Sequence, residues 1–256
     1  MLKQERHRRI LELLRSDGRL VASELPARIG VSGHTIRRDL AELSEQGALQ
    51  RVHGGAVMRS AVAGSYAGRE RQQVAGKQAV ARAAAPLFAD DAIAIVDGGT
   101  TALALVEALP QEQRGTVVTH SPLVAAALAR RCPRVEVVIA GGTLDARAMV
   151  AVGAQTLRAY EAVTADVCFL GVWSLSVATG ISSRYHEEAE VRRLMVQRAD
   201  RVVALASADK LNTVAPFQSA PATALTHIAT EDEAAVPDAA LLPFRELGIE
   251  IVRPPA

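Results

Sequence analysis

The chain has 256 residues, of which 49% are hydrophobic, 22% charged and 3% aromatic, a composition typical of globular proteins and not of disordered or fibrous ones. This length suits one small module followed by one mid-sized domain. The net charge of +1 is unevenly distributed, because residues 1–59 carry 11 Lys and Arg against 7 Asp and Glu, a basic excess that suits contact with a polyanion at that end.

The first residues place charges throughout an amphipathic pattern, and neither a secretion signal nor an apolar run of about 20 residues is predicted. We therefore expect a cytoplasmic protein without membrane contact. Cys132 and Cys168 lack the spacing of a metal cluster or a disulfide framework, so they are predicted to be buried free thiols. We expect no metal and no cofactor.

Three short helices are predicted in the first 47 residues, with a glycine turn between the second and the third. Ser32 is a favourable N-cap residue for the third helix. The apolar face of this helix must pack inward, which leaves a polar and basic face for contact. That face carries His34, Thr35, Arg37 and Arg38. Contact with bases and phosphates is predicted for its first two turns, as in a recognition helix that enters a major groove.

A short strand-like stretch and a glycine turn follow this helix at residues 47–56. Arg51 and His53 lie there, where they are available to bind phosphate. The order of helices, turn and basic hairpin predicts a winged helix-turn-helix. Each residue taken alone is more simply explained by a solvated surface.

The run VSGHTIRRDLAELSEQGALQRVHGGAV, residues 31–57, resembles the signature of DeoR-family transcriptional regulators. The resemblance implies that residues 1–58 form a winged helix-turn-helix that binds double-stranded operator DNA. The residues that it implies for DNA contact are Ser32, Thr35, Arg37, Arg38, Arg51, His53 and Gly54. Gly33 and His34 depart from the longer or acidic side chains often found in the family, which leaves open which bases are read.

Residues 59–76 lose periodicity and are rich in Ala, Gly and Ser, which indicates a linker. From residue 77 to residue 256, strand and helix patterns alternate. This alternation predicts an α/β domain with a mostly parallel sheet that is covered on both faces. The predicted strands are 92–96, 116–119, 135–140, 167–171, 202–206 and 225–229.

Small and hydroxyl residues follow several of these strands, at the edge where open α/β sheets bind ligands. They are Asp97, Gly98, Gly99, Thr100 and Thr101 after the first strand, Ser121 after the second, and Gly141 and Gly142 after the third. Glycine lets the backbone approach a ligand, hydroxyls donate hydrogen bonds, and a helix N-terminus favours an anion. Phosphate is therefore the predicted ligand group, although each turn taken alone also fits an ordinary tight turn.

Two later residues supply charge. Glu188 lies in the acidic first turn of a helix that becomes basic further along, an order that suits the helix dipole without any ligand. Lys210 follows a buried strand, where it either reaches a phosphate or is solvated.

These pieces occur in the order found in the DeoR-type sensor domain, so the resemblance covers nearly the whole chain. It implies a fold similar to ribose-5-phosphate isomerase and CoA transferases, and a phosphorylated sugar or related metabolite as effector. The pocket residues that it implies are Asp97, Gly99, Thr100, Thr101, Ser121, Gly141, Gly142, Glu188 and Lys210. Trp173 and Ser207 depart from the family pattern, and Trp173 is expected to fill or reshape the pocket.

The expected function is that of a repressor of a carbohydrate-metabolism operon, whose binding to DNA is weakened by the phosphorylated effector. Assembly as a dimer or tetramer is expected, since helix-turn-helix proteins usually pair half-sites through two-fold symmetry. One alternative is an isomerase-like enzyme fused to a DNA-binding module, with Asp97, His186, Glu188 and Lys210 as acid and base groups. Another is an architectural DNA-binding protein whose second domain only oligomerises.

Overall fold

The structure is a computed structural model, and it describes residues 1–17, 19–52, 54–60 and 65–255. A helical unit with a small antiparallel sheet comes first, and an α/β unit built on a seven-stranded parallel sheet follows. The predicted fold class, a winged helix-turn-helix before a mostly parallel α/β domain, is confirmed. Among the described helices, none is long and apolar enough to span a membrane.

The N-terminal unit is built from α1 (Lys3–Asp17), β1 (Arg19–Val21), α2 (Leu25–Ile29), α3 (Gly33–Glu45), β2 (Gln50–Val52) and β3 (Gly55–Arg59). Gly30 ends α2 with a left-handed φ of 78°, which turns the chain towards α3. The hydroxyl of Ser32 accepts a hydrogen bond from the backbone N–H of Thr35 at 3.2 Å, so Ser32 is the N-cap of α3. The helices pack around a common apolar core that includes Ile10, Leu14, Ile36 and Leu40.

Two helices, α4 (Tyr66–Arg71) and α5 (Val74–Ala84), lead into the α/β unit. That unit continues with β4 (Ile93–Val96), α6 (Thr100–Ala108), β5 (Gly115–Thr119), α7 (Pro122–Arg131), β6 (Val135–Ile139), β7 (Thr143–Asp145), β8 (Val150–Val152), α8 (Ala154–Glu161) and β9 (Ala165–Gly171). It ends with β10 (Ser174–Ser176), β11 (Gly180–Ser183), α9 (His186–Gln197), β12 (Ala199–Leu205), β13 (Thr213–Val214), β14 (Phe217–Ala220), β15 (His227–Ala229), α10 (Asp238–Arg245) and β16 (Glu250–Val252).

The large sheet has the strand order β16-β15-β12-β9-β4-β5-β6, and all neighbouring strands are parallel. Apolar side chains cover both faces: Ile95 packs into one layer, whereas Ala94 and Val96 pack into the other. Cys132 and Cys168 are buried and free, as predicted. From β4 the chain runs to β5 and β6 on one side, and from β9 it runs to β12, β15 and β16 on the other. The direction of winding therefore reverses between β4 and β9, which is where such sheets open a crevice.

The two units are joined by main-chain hydrogen bonds. Strand β3 pairs antiparallel with β1 and β2 and also pairs parallel with β13, where Met58 lies opposite Thr213. The backbone N–H of Ser60 continues this contact by donating to the carbonyl of Val214 at 3.2 Å. The last strand of the N-terminal unit is therefore held by a strand of the α/β unit.

Candidate functional site

A cleft of about 420 Å³, measured out to its open mouth, lies at the carboxyl edge of the large sheet, where β4 and β9 end. Residues from several elements line it: Arg69, Gly98, Gly99, Thr100, Thr101, Ala148, Val150, Gly171, Val172, Trp173, Glu188, Arg192 and Lys210. Six of the residues predicted for the effector site are in this lining, namely Gly98, Gly99, Thr100, Thr101, Glu188 and Lys210. The parallel sheet thus gathers into one place residues that are more than 100 positions apart in the chain.

The N-terminus of α6 forms one wall of the cleft. Gly99 precedes the helix with φ of 99°, a conformation that glycine adopts without strain. Gly98 is also required, because a Cβ there would lie 2.1 Å from the side chain of Val150. The first backbone N–H groups of a helix have no partner within the helix, so this wall favours an anion.

A buried ion cluster lies beneath the cleft. Arg192 donates to the carboxylates of Asp97 and Glu188, each at 2.8 Å, and to the hydroxyl of Ser183 at 2.9 Å. Burial alone lowers the pKa of Arg192, but Asp97 and Glu188 outweigh it and raise the pKa above the ordinary value. The other oxygen of Asp97 accepts from the backbone N–H of Gly98 at 2.7 Å. Asp97 is therefore fully buried and fixes the loop, instead of being part of the lining.

His120 packs against this cluster, with Nε2 3.5 Å from Asp97 and Nδ1 2.9 Å from the hydroxyl of Tyr160. Burial lowers the pKa of His120, and the carboxylate of Asp97 only partly opposes this effect. Burial therefore favours the neutral form of the imidazole.

Glu188, which lines the cleft, has one carboxylate oxygen without a partner among the described residues. Its Oε2 accepts from the indole N–H of Trp173 at 2.7 Å and from Arg192 at 2.8 Å. Its Oε1 is buried and has no hydrogen-bond partner among the described residues. An unsatisfied buried acceptor costs free energy. A ligand hydroxyl that donates to Oε1 would remove this cost.

Lys210 supplies a buried positive charge. It ends a short 3₁₀ turn, Ala208–Lys210, that follows β12, and its ammonium group donates to the hydroxyl of Thr101 at 3.0 Å. Burial lowers the pKa of Lys210 to about 8, the carboxylate of Asp209 opposes this shift, and nearby cations add to it. An anion placed beside the ammonium would favour its charged form.

The remaining predicted residues lie behind the cleft. Ser121 accepts from the backbone N–H of Val124 at 3.4 Å and thereby caps α7. The carbonyl of Gly141 accepts from the hydroxyl of Thr156 at 2.9 Å, and a Cβ on Gly142 would lie 2.2 Å from that hydroxyl. These two glycines therefore hold the loop between β6 and β7 against α8.

Arg69, Trp173 and Arg192 line the cleft but were not among the predicted site residues. Arg192 could have been predicted from the sequence, since it lies four positions after Glu188 in a helix and such residues share one helix face. Trp173 is a departure from the family pattern that the sequence analysis expected to fill or reshape the pocket, and it lines the cleft. Arg69 lies in the segment that the sequence indicated as a linker, so nothing connected it with the strand ends.

A second candidate surface is the exposed face of α3. His34, Arg37 and Arg38 are exposed, and Thr35 is partly buried beside them. Arg38 lies 3.3 Å from Glu42, in an exposed pair. The hydroxyl of Ser32 is engaged by the backbone of Thr35 as the helix cap.

The orientation of α3 is fixed by a buried carboxylate. Asp39 is 2% exposed and accepts from Nε and Nη2 of Arg6, the Nη2 contact being 2.9 Å long, while Nε2 of His7 lies 3.2 Å from Oδ1 of Asp39. Burial alone raises the pKa of Asp39, but the hydrogen bonds and charges of Arg6 and His7 lower it below the ordinary value. This pairing ties α3 to α1 and leaves the opposite face of α3 to the outside.

In the hairpin formed by β2 and β3, Arg51 and Gly54 are exposed, and Gly54 has φ of 77°. The predicted contact residue His53 lies outside the described residues. The exposed arginine is on the same unit as the exposed face of α3, which is the arrangement expected of a wing.

Known proteins resemble this chain in both of its units. The family model "DeoR-like helix-turn-helix domain" matches residues 6–62, and "DeoR C terminal sensor domain" matches residues 72–232. The HTH-type transcriptional regulator GlpR of Haloferax volcanii is 38% identical over 82% of this chain and 83% of its own length. The glycerol-3-phosphate regulon repressor of Escherichia coli is 29% identical over 79% of this chain and 81% of its own length. Among solved structures, ribose 5-phosphate isomerase A from Neisseria gonorrhoeae covers 54% of this chain and 53% of its own chain, with 16% identity and a TM-score of 0.39.

Proposed function

Since the chain belongs to the DeoR family of DNA-binding transcriptional regulators, we propose that a phosphorylated sugar or related metabolite binds its cleft and weakens operator binding. In this proposal residues 1–58 bind the operator and residues 77–256 sense the effector. Residues 59–76 connect the domains and also contribute Arg69 to the cleft lining. The regulated genes are those of a carbohydrate-metabolism operon, and the chain acts as their repressor.

The proposal depends on one observation: the same cleft has groups that can bind a phosphate and a group that can bind a hydroxyl. The N-terminus of α6 and the ammonium of Lys210 provide backbone donors and a charge for a phosphate. The Oε1 atom of Glu188 provides a buried acceptor for a hydroxyl. A molecule that has both a phosphate and hydroxyl groups, such as a sugar phosphate, satisfies both.

The relatives point the same way. The matched E. coli protein is named for the glycerol-3-phosphate regulon, and glycerol 3-phosphate is itself a phosphorylated polyol. We extend to this chain only the class of ligand, since Trp173, which lines the cleft, departs from the family pattern.

A short path of hydrogen bonds leads from the cleft to the DNA-binding domain. The carbonyl of Lys210 accepts from the hydroxyl of Thr213 at 2.8 Å, and Thr213 begins β13, which pairs with β3. A ligand that moves Lys210 therefore acts on the strand that ends the wing. This connection supports the part of the proposal in which the effector changes operator affinity.

The enzyme alternative is not favoured, because the matching families and relatives are transcriptional regulators. The geometry also argues against Asp97 as an acid or base, since Gly98 and Arg192 engage its two oxygens.

Fluorescence anisotropy tests the proposal, with a labelled duplex from upstream of the protein's own operon. Glycerol 3-phosphate, fructose 1-phosphate and glucose 6-phosphate are titrated beside their unphosphorylated parents. One ester is expected to weaken DNA binding about 5- to 150-fold. Its parent should have little effect, and the ester should be recovered intact. Equal effects of ester and parent would refute the phosphate site, and product formation would favour the enzyme alternative.

A further inference from the structure

A groove between the DNA-binding domain and the sensor domain is distinct from the effector cleft. It measures about 1040 Å³ out to its open mouth. Gln50 and Arg59 line it from the DNA-binding domain, and Arg184 and Tyr185 line it from the sensor domain. It lies beside the pairing of β3 with β13, since Arg59 and Val214 are paired there and both line the groove. A ligand in this groove would therefore contact both domains.

The charged side chains of this groove are both cationic. Arg59 and Arg184 are the charged residues of its described lining, and both are exposed. Neither side chain makes an ion pair or a hydrogen bond with another described residue. The effector cleft differs, because there Arg192 is already bonded to Asp97 and Glu188. The groove therefore has two guanidinium groups whose N–H donors are available to a ligand.

The position of Arg59 links the groove to the recognition helix. Arg59 is the last residue of β3, the second strand of the wing. Its Nη1 atom lies 3.6 Å from the position that a Cβ on Gly47 would occupy. Gly47 comes two residues after the end of α3 and has φ of 74°. An anion bound to this guanidinium would therefore lie next to the turn that leads from the recognition helix into the wing.

The sensor wall of the groove combines the second guanidinium with aromatic rings. Arg184 precedes Tyr185, the N-cap residue of α9. The ring of Tyr185 packs edge-on against that of Trp173, which also lines the groove. Arg147 stacks on Tyr185 with its guanidinium carbon 4.1 Å from the ring centre, but Asp145 binds this arginine at 2.6 Å. Among the described side chains of this wall, Arg184 is therefore the cation without a carboxylate partner.

We propose that the groove binds a small anion with two phosphate groups, one held by Arg59 and the other by Arg184. A guanidinium donates two parallel hydrogen bonds to the oxygens of one phosphate, so each wall matches one group. Exposed charges are screened by salt, which favours the higher charge of a phosphate over that of a carboxylate. The two like charges repel each other, and an anion between them replaces this repulsion with attraction. The anion holds the wing strand and the sensor domain in one relative position, and its site does not depend on the effector cleft.

The test uses the full chain and inorganic diphosphate as the probe. Trp173 is the only tryptophan of the sequence and lines the groove, so its fluorescence reports binding, and calorimetry gives the affinity. Arg59→Gln and Arg184→Gln are each expected to weaken diphosphate binding about 5- to 10-fold, between the effect of an exposed ion pair and that of a charge-assisted hydrogen bond. Arg158→Gln, at an exposed position of α8 outside the groove lining, should bind as wild type does. Inorganic phosphate, which has one phosphate group, should bind wild type more weakly than diphosphate.

Absence of diphosphate binding to wild type would overturn the inference, as would wild-type affinity in either arginine variant. If Lys210→Gln loses diphosphate binding and the two arginine variants keep it, the probe occupies the effector cleft. This inference then fails, and the proposed function stands. If Arg184→Gln weakens operator binding without any diphosphate, the groove contacts the DNA backbone instead, which also refutes the inference.

Hydrogen exchange on wild type tests the bridge between the domains without a variant. Diphosphate should slow exchange of the amides of residues 58–60 and 213–215, where β3 pairs with β13 and the backbone N–H of Ser60 donates to the carbonyl of Val214. Inorganic phosphate should not slow it. Unchanged exchange at these residues in the presence of diphosphate would overturn the inference.

Discussion

The charge of Lys210 depends on what occupies the cleft. Burial lowers its pKa to about 8, Asp209 opposes this, and Lys77, Arg192 and Arg69 lower it further. A phosphate beside the ammonium favours the protonated form and so raises the pKa again. At any pH at which Lys210 is deprotonated in the free protein, effector binding is therefore accompanied by proton uptake at Lys210.

We expect the affinity for a phosphorylated effector to fall as pH rises through about 8. Below that pH Lys210 is protonated both with and without ligand, so this group causes no change in affinity. Above it, each pH unit costs up to about tenfold until the pKa of the complex is reached. Lys210→Arg, which keeps its charge throughout, should remove the dependence. Calorimetry from about pH 7 to about pH 9.5 measures the affinity. If the slope of log affinity against pH is unchanged in Lys210→Arg, the dependence belongs to another group.

Two exposed arginines on α3 are expected to dominate DNA binding. If Arg37 and Arg38 contact phosphates, replacing both with Ala should weaken binding and reduce the slope of log affinity against log salt by about 1.8. If one contacts a base, about 1–3 kcal/mol of discrimination is also lost. Anisotropy at several salt concentrations distinguishes these cases. The control is Arg130→Ala with Arg134→Ala, which removes the same charge from exposed positions of the sensor domain. Wild-type affinity in a folded Arg37/Arg38 variant would exclude this helix from the interface.

At the level of elements, the sequence predicts six of the seven strands of the large parallel sheet, and these six have apolar sequences. Their bounds differ from those of β4, β5, β6, β9, β12 and β15 by at most three residues. The seventh strand, β16, was missed, as were the short antiparallel strands. Ser174–Ser176 and Gly180–Ser183 are polar and only three and four residues long, so no alternation of apolar residues marks them. They form because long-range pairing satisfies their backbone groups, which is not visible in a local pattern.

The sequence also predicts only part of the candidate cleft, because a local pattern marks some of its residues and tertiary packing decides the rest. Residues that directly follow a parallel strand, such as Thr100 and Lys210, are carried to the edge of the sheet by the fold itself. Gly141 and Gly142 have the same local pattern as Gly98 and Gly99, but the structure uses them to pack against α8. A local pattern therefore identifies the edge of the sheet, and tertiary packing decides which loops reach the cleft.

Trp173 connects two elements that the sequence analysis kept apart. Its indole N–H donates to Glu188 in the cleft at 2.7 Å, and its backbone carbonyl accepts from the hydroxyl of Ser60, just after β3, at 3.4 Å. Its ring also packs edge-on against Tyr185, with centroids 6.0 Å apart. A ligand hydroxyl that binds Glu188 would therefore be sensed by a residue that also touches the end of the wing strand.

Trp173→Phe is expected to keep the aromatic packing but lose the hydrogen bond to Glu188. Operator affinity without effector should stay as in wild type, since the contact with Ser60 is made by the backbone. The coupling between effector and operator should fall by about 0.5–2 kcal/mol. Anisotropy titrations with and without the ester measure the coupling, and calorimetry on the same variant checks that the ester still binds. If the coupling in Trp173→Phe is as strong as in wild type, Trp173 does not connect the cleft with the DNA-binding domain.

At the scale of the whole molecule, one α3 helix of 13 residues reads few base pairs. We therefore expect the protein to bind its operator as at least a dimer, with two recognition helices on half-sites related by a two-fold axis. Light scattering coupled to size exclusion gives the mass of the free protein and of its complex with an operator duplex. A complex with a single 27.1 kDa chain, together with a monomeric free protein, would contradict this.

The pairing of β3 with β13 puts a strand of the α/β domain into the small sheet of the DNA-binding domain, and we expect the effector and the operator to act on this shared sheet. Such coupling is reciprocal: if the ester weakens operator binding by a given factor, saturating operator must weaken ester binding by the same factor. We expect both factors to be about 5 to 150. Calorimetry of the ester with free protein and with protein saturated by operator duplex gives the second factor, and a scrambled duplex of equal length controls for charge. Trp173→Phe is expected to reduce both factors, and because the coupling is reciprocal it should reduce them equally. Unequal factors in wild type would mean that a further equilibrium, such as a change of assembly, accompanies one of the two binding steps.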